Sequence, residues 1–264
     1  MKLATTLTQT SDSNPPLVLI HGLGSAATAF KPIVSALSQC FRVITVDLPG
    51  HGLSPFKQNL AMDPQSLGRL IFDTVKSDYG IREFHVVGNS LGGWIALEMA
   101  AEQPARIKSL TGLAPAGLWL TPASGRLPSE ARSYYLAKVL KPFLKIGLRS
   151  QLLRKIGFSN VSPQWQELSY EICYDASFAM ATCTGYFPAW DGMLTKRFEA
   201  HIDAQVPVTI LFGDTDNTLP YPVSQERSLA PSHNTWLVID KCGHAPMWDH
   251  PDLIVKIIKQ TSEQ

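Results

Sequence analysis

The sequence has no long apolar run. No stretch approaches the roughly 18 consecutive apolar residues that a membrane-spanning helix needs. Residues 1–16 contain one lysine but neither an apolar stretch nor a small-residue cleavage pattern, so they do not resemble a secretory signal. From these two absences we expect a cytoplasmic protein with no transmembrane segment.

An excess of charge of one sign is also missing. The 23 Lys and Arg residues nearly balance the 22 Asp and Glu residues, and the net charge of +1 gives no overall reason to expect a nucleic acid or an anionic membrane as partner. The cysteines have no metal-like spacing, and without an export signal we expect reduced thiols. They are Cys40, Cys173, Cys183 and Cys242.

Apolar residues are plentiful, at 45% of the 264 residues, which is enough for one large α/β domain or two small ones. Apolar runs and amphipathic stretches alternate in the first part of the chain, which predicts a doubly wound, mostly parallel sheet. The predicted strands cover residues 2–9, 17–20, 41–47, 84–87, 107–113, 206–212 and 235–239. The predicted helices cover residues 30–37, 65–79, a stretch from 94 onwards, 221–229 and 251–259.

The alternation stops after Pro115. Residues 117–202 have helical periodicity, many aromatic side chains and no clear strand. We therefore predict an α/β core formed by residues 1–116 and 203–264, with a helical cap, or lid, inserted at 117–202.

The segment Gly88-Asn89-Ser90-Leu91-Gly92 connects a predicted strand to a predicted helix. Gly-x-Ser-x-Gly in this context is typical of a sharp turn that exposes a nucleophilic serine, although a merely tight turn has the same pattern. In a parallel sheet, ligands bind at the carboxyl ends of the strands, which is where Ser90 lies.

A serine hydroxyl needs a base, and the base needs an orienting acid. His244 is the best candidate base, because it follows the last predicted strand directly. Asp214 and Asp216 both follow the preceding strand, and we favour Asp216 because it lies at the tip of its loop. The backbone N–H groups of Leu23 and Leu91 are the expected donors of an oxyanion hole. This chemistry implies no metal and no organic cofactor.

With these motifs in place, the sequence resembles the α/β-hydrolase superfamily over nearly its whole length. His21-Gly22-Leu23-Gly24 is similar to the oxyanion loop of that superfamily, and residues 47–54 are similar to its Asp-x-x-Gly-x-Gly-x-Ser loop. Gly213-x-x-Asp216-x-x-x-Pro220 resembles the acid loop, which supports Asp216 over Asp214, and Gly243-His244-Ala245-Pro246 resembles the base loop. The resemblance implies a serine hydrolase with a Ser90–Asp216–His244 triad.

Within this superfamily a serine nucleophile excludes the members that use an aspartate. Cleavage of a carboxylic ester or thioester of a small to medium hydrophobic acyl group, through an acyl-enzyme, is our primary prediction. Asn89 and Trp248 also resemble hydrolases that cleave carbon–carbon bonds of ring-fission dienones, but Ala245 stands where those enzymes usually have tryptophan. A non-catalytic receptor on the same scaffold is the third alternative.

The predicted cap suggests where a substrate binds. We expect Trp119, Phe187, Trp190 and Met247 to line an apolar pocket. Residues 126–157 contain eight basic residues and one acid, Glu130, so this segment has a charge of +7 and the rest of the chain −6. The basic face is either a solvated surface or a docking site for an anionic group, such as a carrier-bound acyl chain, a coenzyme A ester or an anionic lipid.

Overall fold

The computed structural model describes residues 1–126 and 128–264, without the side chains of 128–130. Its strands are β1 (Thr5–Thr8), β2 (Pro16–Ile20), β3 (Arg42–Val46), β4 (Phe84–Asn89), β5 (Ile107–Leu113), β6 (Val208–Gly213) and β7 (Thr235–Ile239). Its helices are α1 (Lys31–Leu37), α2 (Pro64–Tyr79), α3 (Leu91–Glu102), α4 (Pro128–Leu140), α5 (Leu144–Gly147), α6 (Gln151–Phe158), α7 (Tyr170–Thr182), α8 (Tyr186–Met193), α9 (Pro246–Asp249) and α10 (Pro251–Ser262).

The strands form one sheet in the order β1-β3-β2-β4-β5-β6-β7. β1 pairs antiparallel with β3 at one edge, and every other pairing is parallel. Both faces of the sheet are covered, as expected for parallel strands. Val18 and Ile20 of β2 pack in the cluster that includes α2 and α3, while Leu17 and Leu19 pack in the cluster that includes α1 and α10. The predicted doubly wound, mostly parallel α/β sheet is confirmed.

Helices α4 to α8 lie between β5 and β6, in the segment predicted as a cap. Leu127 belongs to this segment but lies outside the described residues, as does the side chain of Glu130. The two ends of the segment meet, because the N–H of Phe198 donates to the carbonyl of Gly117 and the indole N–H of Trp119 donates to the carbonyl of Lys196, both at 2.9 Å. These contacts between the two ends support cap boundaries near 117 and 202, which stay a prediction.

The helix predicted over residues 221–229 is wrong. The segment forms turns and a short 3-10 helix, Arg227–Leu229. Its backbone bonds instead to the chain that enters the cap: the N–H of Glu226 donates to the carbonyl of Leu118 at 2.7 Å, and the N–H of Leu120 donates to the carbonyl of Val223 at 3.0 Å.

Candidate active site

Ser90 lies in a strained turn between β4 and α3. Its backbone angles are φ 55° and ψ −119°, which a residue with a Cβ rarely adopts. Neighbouring elements hold this conformation, because the N–H of Ser90 donates to the carbonyl of Leu113 at 3.0 Å and its carbonyl accepts from the N–H of Ala116 at 2.9 Å. Only glycine fits at position 92, where a Cβ would lie 2.0 Å from the carbonyl oxygen of Ile20. The turn is therefore anchored to β2 and to the end of β5.

The loop after β2 lies against Ser90. A Cβ on Gly22 would lie 2.9 Å from the Cβ of Ser90 and 3.5 Å from its hydroxyl oxygen, so glycine permits this close approach. The N–H of the next residue, Leu23, donates to no protein group among the described residues. Leu91 is the first residue of α3, where an N–H has no intrahelical acceptor. These two N–H groups, both predicted oxyanion donors, belong to residues that line one cavity with Ser90.

Asp216 and His244 form a buried pair. The ring atom Nδ1 of His244 donates to Oδ2 of Asp216 at 2.9 Å. Since a carboxylate only accepts, the proton is on Nδ1 and the other ring nitrogen, Nε2, is an acceptor. Oδ1 of Asp216 accepts from the N–H groups of Thr218 and Leu219, at 2.9 and 2.8 Å. The acid is thus held at both oxygens, which fixes the orientation of the imidazole.

The environment of Asp216 keeps its carboxylate ionised. Burial alone would raise the pKa of this group. The favourable electrostatic interaction and the hydrogen bond with the His244 ring, together with the two backbone N–H groups, outweigh burial, so the pKa of Asp216 lies below its ordinary value. Asp214 has a different role, because its Oδ1 accepts from the backbone N–H of Cys242 at 3.2 Å and it is exposed. The structure thus brings Asp216, not Asp214, against His244.

Two long-range contacts hold the backbone of His244. Its N–H donates to the carbonyl of Val161 in the cap at 2.7 Å, and its carbonyl accepts from the side-chain amide of Asn89 at 3.0 Å. The same amide donates to the carbonyl of Leu113 at 3.0 Å. Asn89, which the sequence suggested as a sign of carbon–carbon cleavage, therefore has a positioning role that is independent of the reaction.

Sequence reasoning missed a second clamp on the base loop. The buried carboxylate of Asp249 accepts from the backbone N–H of Gly243 at 2.7 Å and from the hydroxyl of Ser162 in the cap. Burial raises the pKa of Asp249. A polar residue five positions after His244 was the one available signal, and nothing in the sequence pointed to Ser162 as its partner.

A cavity of about 800 Å³ lies between the sheet and the cap. Ser90, His244, Leu23 and Leu91 line its floor, and apolar side chains of the cap form most of the remaining wall. Those apolar residues include Leu140, Leu144, Leu148, Phe158, Val161 and Met180. Volume and lining are those of a site for a small organic ligand with few polar anchors.

Three of the four predicted pocket residues line this cavity: Trp119, Trp190 and Met247. Phe187 is not among the described residues that line the cavity, so the prediction for Phe187 is wrong. Its ring instead packs edge-on against Tyr134 and Tyr186, at centroid distances of 4.9 and 5.3 Å. Helical periodicity places an aromatic residue on a cap helix but does not tell which side of that helix contacts other cap helices.

Two buried histidines support the loops next to Ser90. Nδ1 of His21 donates to the carbonyl of Gly22 at 2.7 Å, and its Nε2 accepts from the N–H of Leu48 at 3.0 Å. Nδ1 of His51 donates to the carbonyl of Pro49 at 3.0 Å. Desolvation by burial lowers the pKa of His21 to about 4 and the pKa of His51 to about 3. Both side chains are therefore neutral supports of the backbone.

These pKa shifts predict acid-sensitive stability. Below the ordinary histidine pKa of 6.5, the unfolded chain binds a proton at each of the two histidines. The folded chain binds these protons only below about pH 4 at His21 and about pH 3 at His51. Stability is therefore complete above pH 6.5 and declines as the pH falls, by about 2 kcal/mol per histidine between pH 7 and pH 5. Urea unfolding at both pH values measures this loss, and His51→Gln should reduce it by about 2 kcal/mol. An unchanged loss in that variant would contradict the assignment.

The fold and the cavity define the class of protein: an α/β protein with a cavity at the carboxyl ends of its parallel strands, lined in part by the helices inserted between β5 and β6. In the described part of the chain no group of three His, Cys, Asp or Glu side chains is arranged to hold a metal ion. The helices of the described residues also include none long and apolar enough to cross a membrane.

The chain belongs to the alpha/beta hydrolase family, whose model matches residues 17–257. The pimeloyl-[acyl-carrier protein] methyl ester esterase of Aliivibrio salmonicida is 28% identical over 92% of this chain and 90% of its own length. A Neisseria meningitidis protein of the same name is 27% identical over 96% of this chain and 95% of its own length. The solved structure of naproxen esterase (carboxylesterase NP) from Bacillus subtilis superposes with a TM-score of 0.69 at 19% identity, over 98% of this chain and 91% of that one. The chain is a hydrolase, and these two curated relatives are methyl ester esterases.

Proposed function

We propose that this protein is a serine carboxylesterase that acts on small to medium hydrophobic acyl groups. The observation that carries the proposal is the buried pair of His244 and Asp216, joined at 2.9 Å, of which His244 lines the apolar cavity together with Ser90. Along the chain the serine comes first, then the aspartate and then the histidine (Ser90, Asp216, His244), which is the order found in hydrolases of this fold. The ester hydrolase activity of the curated relatives supports the same reaction.

The first half of the reaction forms an acyl-enzyme. Nε2 of His244 takes the proton of the Ser90 hydroxyl as its oxygen attacks the ester carbonyl. The N–H groups of Leu23 and Leu91 stabilise the negative charge on the carbonyl oxygen. His244 then gives its proton to the departing alcohol, and the acyl group remains on Ser90. Asp216 keeps Nδ1 protonated and stabilises the imidazolium during both transfers.

The second half releases the acid. A water molecule loses a proton to His244 and attacks the acyl carbonyl, and the proton then returns to the Ser90 oxygen. The mostly apolar cavity wall lowers the local dielectric constant, which strengthens the electrostatic interactions at the site. No metal and no organic cofactor takes part in this scheme.

The cavity supports the choice of acyl group. A volume of about 800 Å³ lies within the range of sites for small organic molecules. The apolar side chains over Ser90 favour an alkyl or aryl acyl group, and a carboxylic ester is the bond that the relatives cleave. A thioester with the same acyl group presents the same carbonyl and is included in the proposal.

Fluorophosphonate labelling and a panel of substrates test this function. We expect a fluorophosphonate probe to label Ser90, as mass spectrometry of the modified peptide would show. Among p-nitrophenyl esters and acyl thioesters of increasing length, kcat/KM should rise from acetyl to medium-length chains and fall again once the cavity is filled. Absence of both labelling and turnover would refute the proposed serine esterase and favour a receptor, whereas turnover of a dienone alone would favour carbon–carbon cleavage.

A further inference from the structure

An apolar surface is exposed on the cap, on α4, α5, α6 and the 3-10 turn between α4 and α5. Its most exposed large side chains lie close together along the chain, and each has more than half of its surface accessible. They are Ile146 at 75%, Val139 at 72%, Leu152 at 67%, Phe143 at 64% and Ile156 at 58%. Clusters of exposed apolar side chains usually mark an interaction site.

Basic side chains surround these apolar residues. They are Lys138, Lys141, Lys145, Arg149 and Lys155, all exposed, and they form the cap face together with the five apolar residues. No carboxylate within the described residues pairs with any of these five cations. The neighbouring acids Glu171 and Asp175 pair instead with Lys31 of the α/β core. The cap face therefore attracts anions.

The cavity reaches the surface at the cap face. Phe143 and Ile156 line the cavity and are also exposed, as is the adjacent residue Leu153. A ligand that approaches across the cap face therefore meets apolar side chains from the surface to the interior. The basic side chains, the exposed apolar side chains and these exposed cavity-lining residues all belong to one stretch of the chain, residues 138–156.

We propose that the cap face binds an anionic lipid surface, from which a lipophilic ester enters the cavity. Long Lys and Arg side chains keep their charges at the level of the headgroups while apolar side chains between them enter the interface. A soluble acidic partner accounts for the cations alone and leaves the five exposed apolar side chains without a role. The proposal adds a partner to the esterase proposed above and rests on that function for the entry of the ester.

Vesicle binding tests the surface without any catalysis. The full-length chain should float with vesicles of phosphatidylcholine containing one third phosphatidylglycerol but not with pure phosphatidylcholine, and added salt should weaken the binding. Ile146→Ser with Leu152→Ser, and separately Lys145→Glu with Arg149→Glu, should each weaken binding at least tenfold. Matched controls are Leu53→Ser for the apolar pair and Lys76→Glu with Lys256→Glu for the basic pair, since these residues are exposed on the core.

Measurements of ester hydrolysis distinguish a failure of this membrane proposal from a failure of the proposed esterase function. None of the four substituted cap residues lines the cavity, so turnover of a water-soluble ester should stay within about twofold while turnover of an ester held in anionic vesicles falls at least tenfold. Absence of vesicle binding with normal turnover of the soluble ester would overturn this inference alone. Binding without any turnover would refute the esterase alone. If only the substitutions of the basic pair reduced vesicle binding, the apolar side chains would have no role in it. That result would contradict the membrane proposal and favour a soluble acidic partner.

Discussion

Ser90→Ala should lower kcat/KM for p-nitrophenyl esters by at least about 10⁴-fold, because the acyl-enzyme then has no oxygen to form on. The protein should remain folded. Alanine also carries a Cβ, so the substitution adds no backbone strain at φ 55°, and the hydrogen bonds that anchor the turn use only the backbone. Steady-state kinetics and thermal unfolding of the purified variant measure both effects.

The same variant should lose fluorophosphonate labelling. Ser35→Ala, an equal chemical change on the exposed side of α1, serves as a control that keeps both labelling and turnover. A low turnover rate that survives in Ser90→Ala is compatible with the scheme, because an oxyanion hole alone retains some catalysis. Labelling at another serine, with turnover unchanged, would exclude Ser90 as the nucleophile.

Asp216→Asn should lower kcat by about 10⁴-fold with little change in KM. A neutral amide no longer stabilises the imidazolium and no longer requires the proton to be on Nδ1 of His244. Asp214→Asn is the matched control, since it removes the same charge two residues away in the same loop. It retains a carbonyl oxygen to accept the N–H of Cys242, so its kcat should change less than tenfold.

Kinetics of the two variants side by side decide between the aspartates. Asp214→Asn is also expected to destabilise the base loop slightly, because the bond to Cys242 loses its charge, and thermal unfolding would detect this. Equal losses of kcat in both variants would show that loop geometry, rather than the carboxylate on His244, limits the reaction. A larger loss in Asp214→Asn would reverse the assignment of the acid.

Much of the core could be read from the chain. The run at 17–20 is continuous and apolar because its strand is buried on both faces, and the structure has a strand there. Glycines and prolines mark the turns, so the order of strands and loops follows from local sequence. The predicted family membership is confirmed, while the catalytic roles of Ser90, Asp216 and His244 stay predictions.

Residues 221–229 show where local sequence fails. Their amphipathic pattern suggested a helix, but hydrogen bonds to Leu118 and Leu120, about a hundred residues earlier, take the backbone groups that a helix would use. A periodic pattern reports which side chains are apolar and says nothing about a distant backbone that competes for N–H and carbonyl groups.

By itself the sequence determined the α/β sheet, the family and the candidate residues of the site, because strand burial, turn chemistry and motif spacing are local properties of the chain. Only the tertiary structure decided that Phe187 faces other cap rings, that Val161 and Ser162 of the cap hold the base loop, and that residues 221–229 bond to the chain entering the cap instead of forming a helix. The physical reason is common to all three. Each depends on the packing of segments far apart in sequence, and no local pattern encodes the direction in which a side chain or carbonyl meets a distant partner.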